Sequence, residues 1–382
     1  MIKKIISICL IGILVGCQSK KTAQENNKTA NGELTMLVGT YTPAGADAGI
    51  YTFRLNTETG TVTPLSKAKA SNPSYLTPSA DGKFIYAVSE QADETAAVNA
   101  FAFDKEKGTL KKLNEQKTMG TDPCYVITNG KNVVTANYSG GSISVFPIQK
   151  DGSLLPASSV FTFEGSGPDS VRQKTPHLHC VRITPDGKYL FADDLGSDKI
   201  RKFNIDPQAD ATNKKPFLSI GTPSSFKLAA GSGPRHLTFA PNNRFAYLIS
   251  ELSGKVTAFE YADGQLKEFQ SIAADTVGAH GSADIHISPD GKFLYASNRL
   301  KADGVAIFRI NEANGMLTKV GYQLTGIHPR NFIITPNGKF LLVACRDSNV
   351  IQLFKRDSDT GLLTDTQKDI KLEKPVCIKF VE

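Results

Sequence analysis

A short polar turn followed by an apolar, β-prone run recurs along this chain. It reads DGKFIYAVSE from residue 81, NGKNVVTANY from 129, DGKYLFADDL from 186, NNRFAYLISE from 242, DGKFLYASNR from 290 and NGKFLLVACR from 337, at spacings of 48, 57, 56, 48 and 47 residues. Ahead of each turn lies another short strand, among them NPSYLTP, DPCYVIT, HLHCVRITP, GPRHLTFAP, ADIHISP and HPRNFIITP. After it come a third strand such as GSISVFPI, KVTAFEY or GVAIFRI, a turn at Gly60, Gly108, Gly152, Gly264, Gly315 or Gly361, and a fourth strand such as GTLKKL. Gly, Asn, Asp and Pro punctuate the runs, and no stretch has a helical period, so the pattern predicts strands throughout.

Four strands in a repeat of about 48 residues make a β-propeller blade. MLVGTY, residues 36–41, matches the second half of the unit and has no strand ahead of it, whereas KPVCIKF, residues 374–380, matches the leading strand and has no hairpin after it. The two ends complete each other. The expected fold is all-β, a seven-bladed β-propeller with four antiparallel strands per blade, closed by the C-terminal strand pairing into the N-terminal blade and spanning residues 34–382 as one domain. Closure leaves no free sheet edge. A string of independent sandwiches is excluded because so short a repeat cannot bury a core of its own.

Composition changes this picture mainly at the N-terminus. Residues 1–17, MIKKIISICLIGILVGC, have two lysines, an apolar run too short to span a bilayer, and a Leu-Val-Gly-Cys ending. That pattern predicts a bacterial lipoprotein signal with Cys17 as the lipidated first residue of the mature chain. Residues 18–33 have no apolar periodicity and read as a solvated tether. Lys3, Lys4, Lys20, Lys21 and Lys28 against Glu25 account for +4 of the formal charge of +7, leaving +3 for the remainder, Glu33 included. A charge that small is no nucleic-acid footprint. Cys124, Cys180, Cys345 and Cys377 lie in different repeats inside apolar runs without a CxxC pattern, and are expected as buried free thiols.

Candidate chemistry emerges when the repeats are aligned on their turns. Eight residues before the turn glycine (Asn243 in the NNRF unit) stand Ser74, His179, Arg235, Ala283 and Arg330; eight residues after it stand Glu90, Tyr138, Leu195, Glu251, Arg299 and Arg346. The two strands form a hairpin, so these positions are predicted to lie side by side at its open end, around the mouth of the central channel. All six histidines, His177, His179, His236, His280, His286 and His328, fall 5 to 11 residues before a turn. Tyr41 is the matching position in the first blade. The insertion FEGSGPDSVRQKTP, residues 163–176, enters the same face, to rim the site or to cover it. Arg235, Arg299, Arg330 and Arg346, with Glu90, Glu251 and Asp284 among them, describe a polar site of net positive potential. Guanidinium groups match the paired oxygens of a carboxylate or phosphate, so the implied ligand is a small anion.

The segments TPHLHCVRITPDGKYL, GSGPRHLTFAP, ADIHISPDGKFLYASNR and HPRNFIITPNGKFLLVA, in this order, resemble the lactonase family of seven-bladed propellers. That family includes the bacterial 6-phosphogluconolactonases and the fungal carboxymuconate-lactonizing enzyme. The resemblance implies that His179, Arg235, Glu251 and Arg299 are the catalytic residues. Lactone hydrolysis needs a base for water and fixed donors for an oxyanion. His179 is the leading base and Glu251 its rival, with Arg235 or Arg299 at the oxyanion and the other arginine on the anionic substituent. Arg330 and Arg346 bind the anion or hold loops; His177, His236, Asp284 and Glu90 complete the substrate-binding set, with His236, Asp284 and His286 expected behind the reacting groups. No cofactor is expected and no metal: His177 and His179 share a strand face as a metal pair would, but no acidic cluster accompanies them and the arginines repel cations. GxSxG, HExxH and Walker motifs are absent. Three functions stay open: a metal-independent lactonase acting on a small anionic sugar lactone, a muconate-type lactonizing or cycloisomerising enzyme, and a non-catalytic envelope propeller that binds a small anion or a protein. The expected protein is a monomer at the cell envelope, periplasmic or on the outer membrane, touching the membrane only through its lipid. The family's sugar-phosphate chemistry belongs to the cytoplasm, so the exported address separates this chain from those relatives.

Overall fold

The structure, a computed structural model, describes residues 32–381 apart from Lys214. The expected signal segment with Cys17, and nearly all of the expected tether, lie outside the described residues. Seven antiparallel sheets follow one another along the chain, each of four strands except that the outer strand of the seventh is split into Leu363–Asp365 and Ile370–Lys371. Blade 1 joins Glu33–Thr40, Ile50–Asn56 and Val62–Ala68 to the C-terminal strand Pro375–Val381, in which Ile378 faces Val38. The leading strands of successive blades touch one another around a full circle. The ring is therefore closed by its two ends, as the half-units at the termini predict. Among the described residues there is no α-helix, only the short 3-10 turns Leu195–Ser197 and Arg346–Ser348, and no helix long and apolar enough to cross a membrane.

The sequence punctuation has clear physical duties. In the turn between the first two strands Gly82, Gly187, Gly291 and Gly338 take φ between 66° and 73°, and Asn243 holds the same place at φ 58°. Asparagine is one of the few side chains that tolerates this left-handed conformation, which is why NNRF replaces DGKF without loss of the hairpin. The aromatic residue after the turn packs on the glycine between strands three and four of the next blade. A Cβ added at Gly152 would come 2.1 Å from Phe84, and one at Gly361 2.3 Å from Phe293. The Tyr247 and Tyr295 hydroxyls donate to the carbonyls of Gly315 and Gly361, each at 2.8 Å. Blades are thus keyed together at the repeat's own period. Cys124, Cys180, Cys345 and Cys377 are all buried and free, as expected.

One expectation needs correction. Positions equally far from the turn are not directly paired, because each leading strand from blade 3 to blade 7 has a bulge near its start. In blade 5 Pro234 faces Ser250 and His236 faces Ile249, so Arg235 is the extra residue, and the Glu251 amide bonds to the Gly233 carbonyl instead. A bulge bends the strand and re-aims the residue inside it. The residues re-aimed in this way are Cys124, His179, Arg235 and Arg330, with the Ser282 to Ile285 step serving blade 6.

Candidate active site

Glu251 is the electrostatic centre of the cluster. Its Oε2 accepts from Arg235 Nε at 2.9 Å and lies 3.1 Å from Arg299 Nη2, while Oε1 accepts from Arg172 Nη2 at 2.6 Å. Burial pushes the carboxyl upward, but Arg299, Arg235 and Arg172 outweigh it and hold Glu251 down at about 2. The group is an anion at any ordinary pH.

Arg235 is 1% exposed and bound on two sides. Besides Glu251 it donates from Nη1 to the Ala283 carbonyl at 2.6 Å and approaches His236 Nε2 at 3.3 Å. Its Nη2 makes no hydrogen bond among the described residues. His236 Nδ1 meets Asp284 Oδ1 at 2.7 Å; burial and then Arg235 bring this histidine down to about 3, so it is neutral, donating from Nδ1 to the carboxylate. Asp284 also takes His286 Nε2 at 3.0 Å and the Asn331 amide, so both of its oxygens are engaged inside the protein. His236 and Asp284 therefore hold Arg235 from behind. Arg299 is used almost completely: Nε donates to Gly281 at 2.7 Å, Nη2 to Ser282 at 3.3 Å, and Nη1 meets His328 Nε2 at 3.2 Å. Burial brings Arg299 down to about 9, Glu251 opposing the fall while Arg235, Arg330 and Arg346 deepen it.

His179 is 5% exposed, with Nδ1 3.7 Å from the Cys124 thiol and Nε2 without a hydrogen bond among the described residues. Its ring meets His236 and Tyr138 edge-on, at centroid distances of 5.3 and 5.4 Å. Burial, then Arg235, His236 and Arg330, hold it well below the usual histidine value, so the imidazole is neutral. His177 does not line up beside it as a metal pair would. It stacks on Tyr138 at 4.4 Å, and its Nδ1 meets the Tyr138 carbonyl at 3.0 Å. Tyr75 and Tyr125 stack at 4.0 Å, and Tyr125 meets His236 edge-on at 5.1 Å, continuing the aromatic packing.

Among the described residues the Arg330 side chain makes no hydrogen bond or ion pair; its guanidinium carbon sits 5.4 Å from the centre of the Tyr41 ring. The Tyr41 hydroxyl donates to Glu90 Oε1 at 2.8 Å. Arg346, by contrast, is occupied by a two-pronged pair with Asp347, 2.7 Å on each side. Of the remaining histidines, His280 is exposed and bonds the carbonyl of Leu252, the residue after Glu251, at 2.6 Å. Among the described residues no three His, Cys, Asp or Glu side chains are arranged to hold a metal ion.

Two contributors escaped the sequence reading. Arg172 comes from the insertion at 163–176 and reaches both Glu251 and the Tyr138 hydroxyl, the latter at 3.3 Å. Nothing in the repeat marks it, since the insertion has no counterpart in other blades; only its place just before His177 pointed to the right face. Cys124 is the blade 3 counterpart of His179 and Arg235, hidden because its hairpin is two residues shorter and counting from Gly130 lands on Asp122.

Comparison with known proteins agrees with this architecture. The family described as lactonase, 7-bladed beta-propeller, matches residues 35–380. A 6-phosphogluconolactonase of Formosa agariphila is 40% identical over 343 residues, 88% of this chain and 96% of that protein. A crystal structure of a Bacteroides fragilis protein shares 71% identity and superposes with a TM-score of 0.91, covering 93% of this chain and 99% of the other. The periplasmic gluconolactonase of Pseudomonas aeruginosa is 34% identical with a TM-score of 0.85, covering 92% and 99%. With the family matched along essentially the whole ring, and with relatives aligned from end to end, the chain belongs to the lactonase family of seven-bladed β-propellers.

Proposed function

We propose that this protein hydrolyses a small anionic sugar lactone at the mouth of the central channel, as a 6-phosphogluconolactonase-like carboxylic ester hydrolase that needs no metal. The observation that carries the reading is the neutral His179, its Nε2 unpartnered, in one network with a buried Arg235 that keeps Nη2 free. His179 Nε2 takes a proton from water as the oxygen attacks the lactone carbonyl. The carbonyl oxygen becomes an oxyanion and accepts from Arg235 Nη2. Collapse of the tetrahedral intermediate breaks the ring C–O bond, and the proton on His179 passes to the leaving oxygen, giving the open hydroxy acid. Glu251 serves as the anion that fixes Arg235, Arg299 and Arg172, since both of its oxygens are taken up by those guanidinium groups. Arg330, whose donors are all free, grips the phosphate or carboxylate of the substrate.

The names of the relatives, 6-phosphogluconolactonase in one case and gluconolactonase in another, support a sugar lactone. Incubation of the purified protein with 6-phosphogluconolactone and with gluconolactone should give hydrolysis well above the buffer rate, unchanged after treatment with a chelator. Acceleration with neither lactone would leave the binding reading in its place, formation of a muconate lactone would favour the cycloisomerase, and loss of rate on chelation would overturn metal independence. We further propose that Cys17 is lipidated and anchors the chain in the cell envelope, on the strength of the Leu-Val-Gly-Cys ending and the periplasmic address of the Pseudomonas relative. Cys17→Ala should move the protein out of the membrane fraction; continued sedimentation with membranes would refute the anchor.

A further inference from the structure

Blade 2 offers the same two positions that blade 5 fills with Arg235 and Glu251, but fills them with Ser74 and Glu90. In blade 5 the pair is closed by an ion pair at 2.9 Å. In blade 2 it is open. Ser74 is 2% exposed and its hydroxyl has no hydrogen-bond partner; Glu90 Oε2 is buried and has none either, while Oε1 accepts from Tyr41. Buried polar atoms without partners are rare in folded proteins, because each forfeits its bonds to water. Here two fall on one hairpin, and Glu90 bonds Tyr41, over whose ring Arg330 sits.

These groups belong to the same cup as the reacting residues. Burial of the Cys124 thiol raises it well above the usual value, and the charges of Glu90, Arg330 and Arg235 all act on it as well, while Cys124 itself lies 3.7 Å from His179 Nδ1. Tyr41 is held in its protonated form, by burial first and by Glu90 among the others, so its hydroxyl can only keep donating to Glu90 Oε1. That contact fixes the carboxylate and leaves Oε2 as a strong acceptor. No ion pair within 4.0 Å joins Glu90 to Arg330, although each charge is felt at Tyr41 between them. Two opposite charges on either side of one tyrosine that do not pair with each other suit a ligand that carries hydroxyl donors at one end and an anionic group at the other.

We propose that Ser74, Glu90 and Tyr41 form a hydroxyl-recognising subsite that selects polyhydroxylated ligands over deoxygenated ones of the same ring size and charge. This deepens the lactonase reading and rests on it for the identity of the ligand. Glu90 Oε2 accepts from one ligand hydroxyl, Ser74 Oγ exchanges a hydrogen bond with another, and neither is needed for the proton transfers at His179. A ligand without hydroxyls leaves both protein groups buried and unpaired, which is the strongest form of discrimination a polar site can impose.

The test compares binding of D-gluconate with that of 5-hydroxypentanoate, two carboxylates of which only the first carries the additional hydroxyls, by isothermal titration calorimetry on the folded protein. Wild type should prefer gluconate. The ratio of the two affinities should fall at least about tenfold in Glu90→Ala, as expected for a charged hydrogen bond, and about two- to tenfold in Ser74→Ala. Melting temperatures identify a variant that has lost its fold, and Ser74→Ala, which removes one oxygen atom, keeps the ratio measurable if Glu90→Ala unfolds. Equal affinity of wild type for the two acids, or a ratio unchanged by the substitutions, would overturn the subsite. Failure of the lactonase reading would be distinguishable, since it would appear as absence of lactone hydrolysis with the preference for gluconate intact.

Discussion

His179→Ala lowers kcat for lactone hydrolysis by at least about a hundredfold, the range lost when a general base is deleted, while KM moves much less. The imidazole is buried but not structurally tied, since among the described residues Nε2 has no hydrogen bond and Nδ1 has only a thiol at 3.7 Å. The pH profile separates a base from a mere contact. Burial and the charges of Arg235 and Arg330 depress the value of this group, so the neutral, active form persists across the neutral range and is lost only as the pH falls through the depressed value. Wild-type rates should therefore form a plateau at neutral pH with an acid limb below the usual histidine value of 6.5. In His179→Ala the limb should vanish with the activity, and free imidazole should restore part of the rate. A variant that keeps the wild-type rate and limb would remove His179 from the mechanism.

Glu251→Gln is expected to cost at least about a hundredfold in kcat/KM for a different reason, the misplacement of the oxyanion donor rather than loss of a proton acceptor. One carboxylate neutralises Arg235, Arg299 and Arg172 together. Removing its charge leaves three guanidinium groups facing one another, two of them buried, so stability should fall as well, by about 3–5 kcal/mol. Arg299 is already brought down to about 9, and Glu251 is the group that opposes the fall. The acid limb should survive in this variant because it belongs to His179, and Glu251→Asp, which keeps the charge on a shorter stem, should recover part of the activity. If instead the limb disappears with Glu251, the roles of base and anchor are reversed.

The fold was legible because a ring of blades repeats its information. DGKF, DGKY and NGKF mark each hairpin, and the half-units MLVGTY and KPVCIKF predict the strand Pro375–Val381 against Glu33–Thr40. The catalytic candidates were legible for the same reason. His179, Arg235 and Arg330 stand at one repeat position and depart there from each other, whereas the core positions around them stay apolar. What counting from the turn missed was the bulge, since an extra residue in a strand has no signature in composition, and with it the place of Cys124.

The amino-acid sequence by itself determined the all-β ring, its closure, the face on which the odd charges gather and the family to which the chain belongs, because period, turn chemistry and strand alternation are local properties. Only the tertiary structure decided how those charges divide their labour. Arg299 and Arg346 look alike in the sequence to Arg235 and Arg330, yet Arg299 spends its donors on carbonyls and Glu251, Arg346 on Asp347, and Arg330 on nothing. Arg172 enters from an insertion with no period to betray it. Which donor remains free depends on neighbours brought together from distant blades by ring closure, and that is a property of the assembled circle rather than of any one repeat.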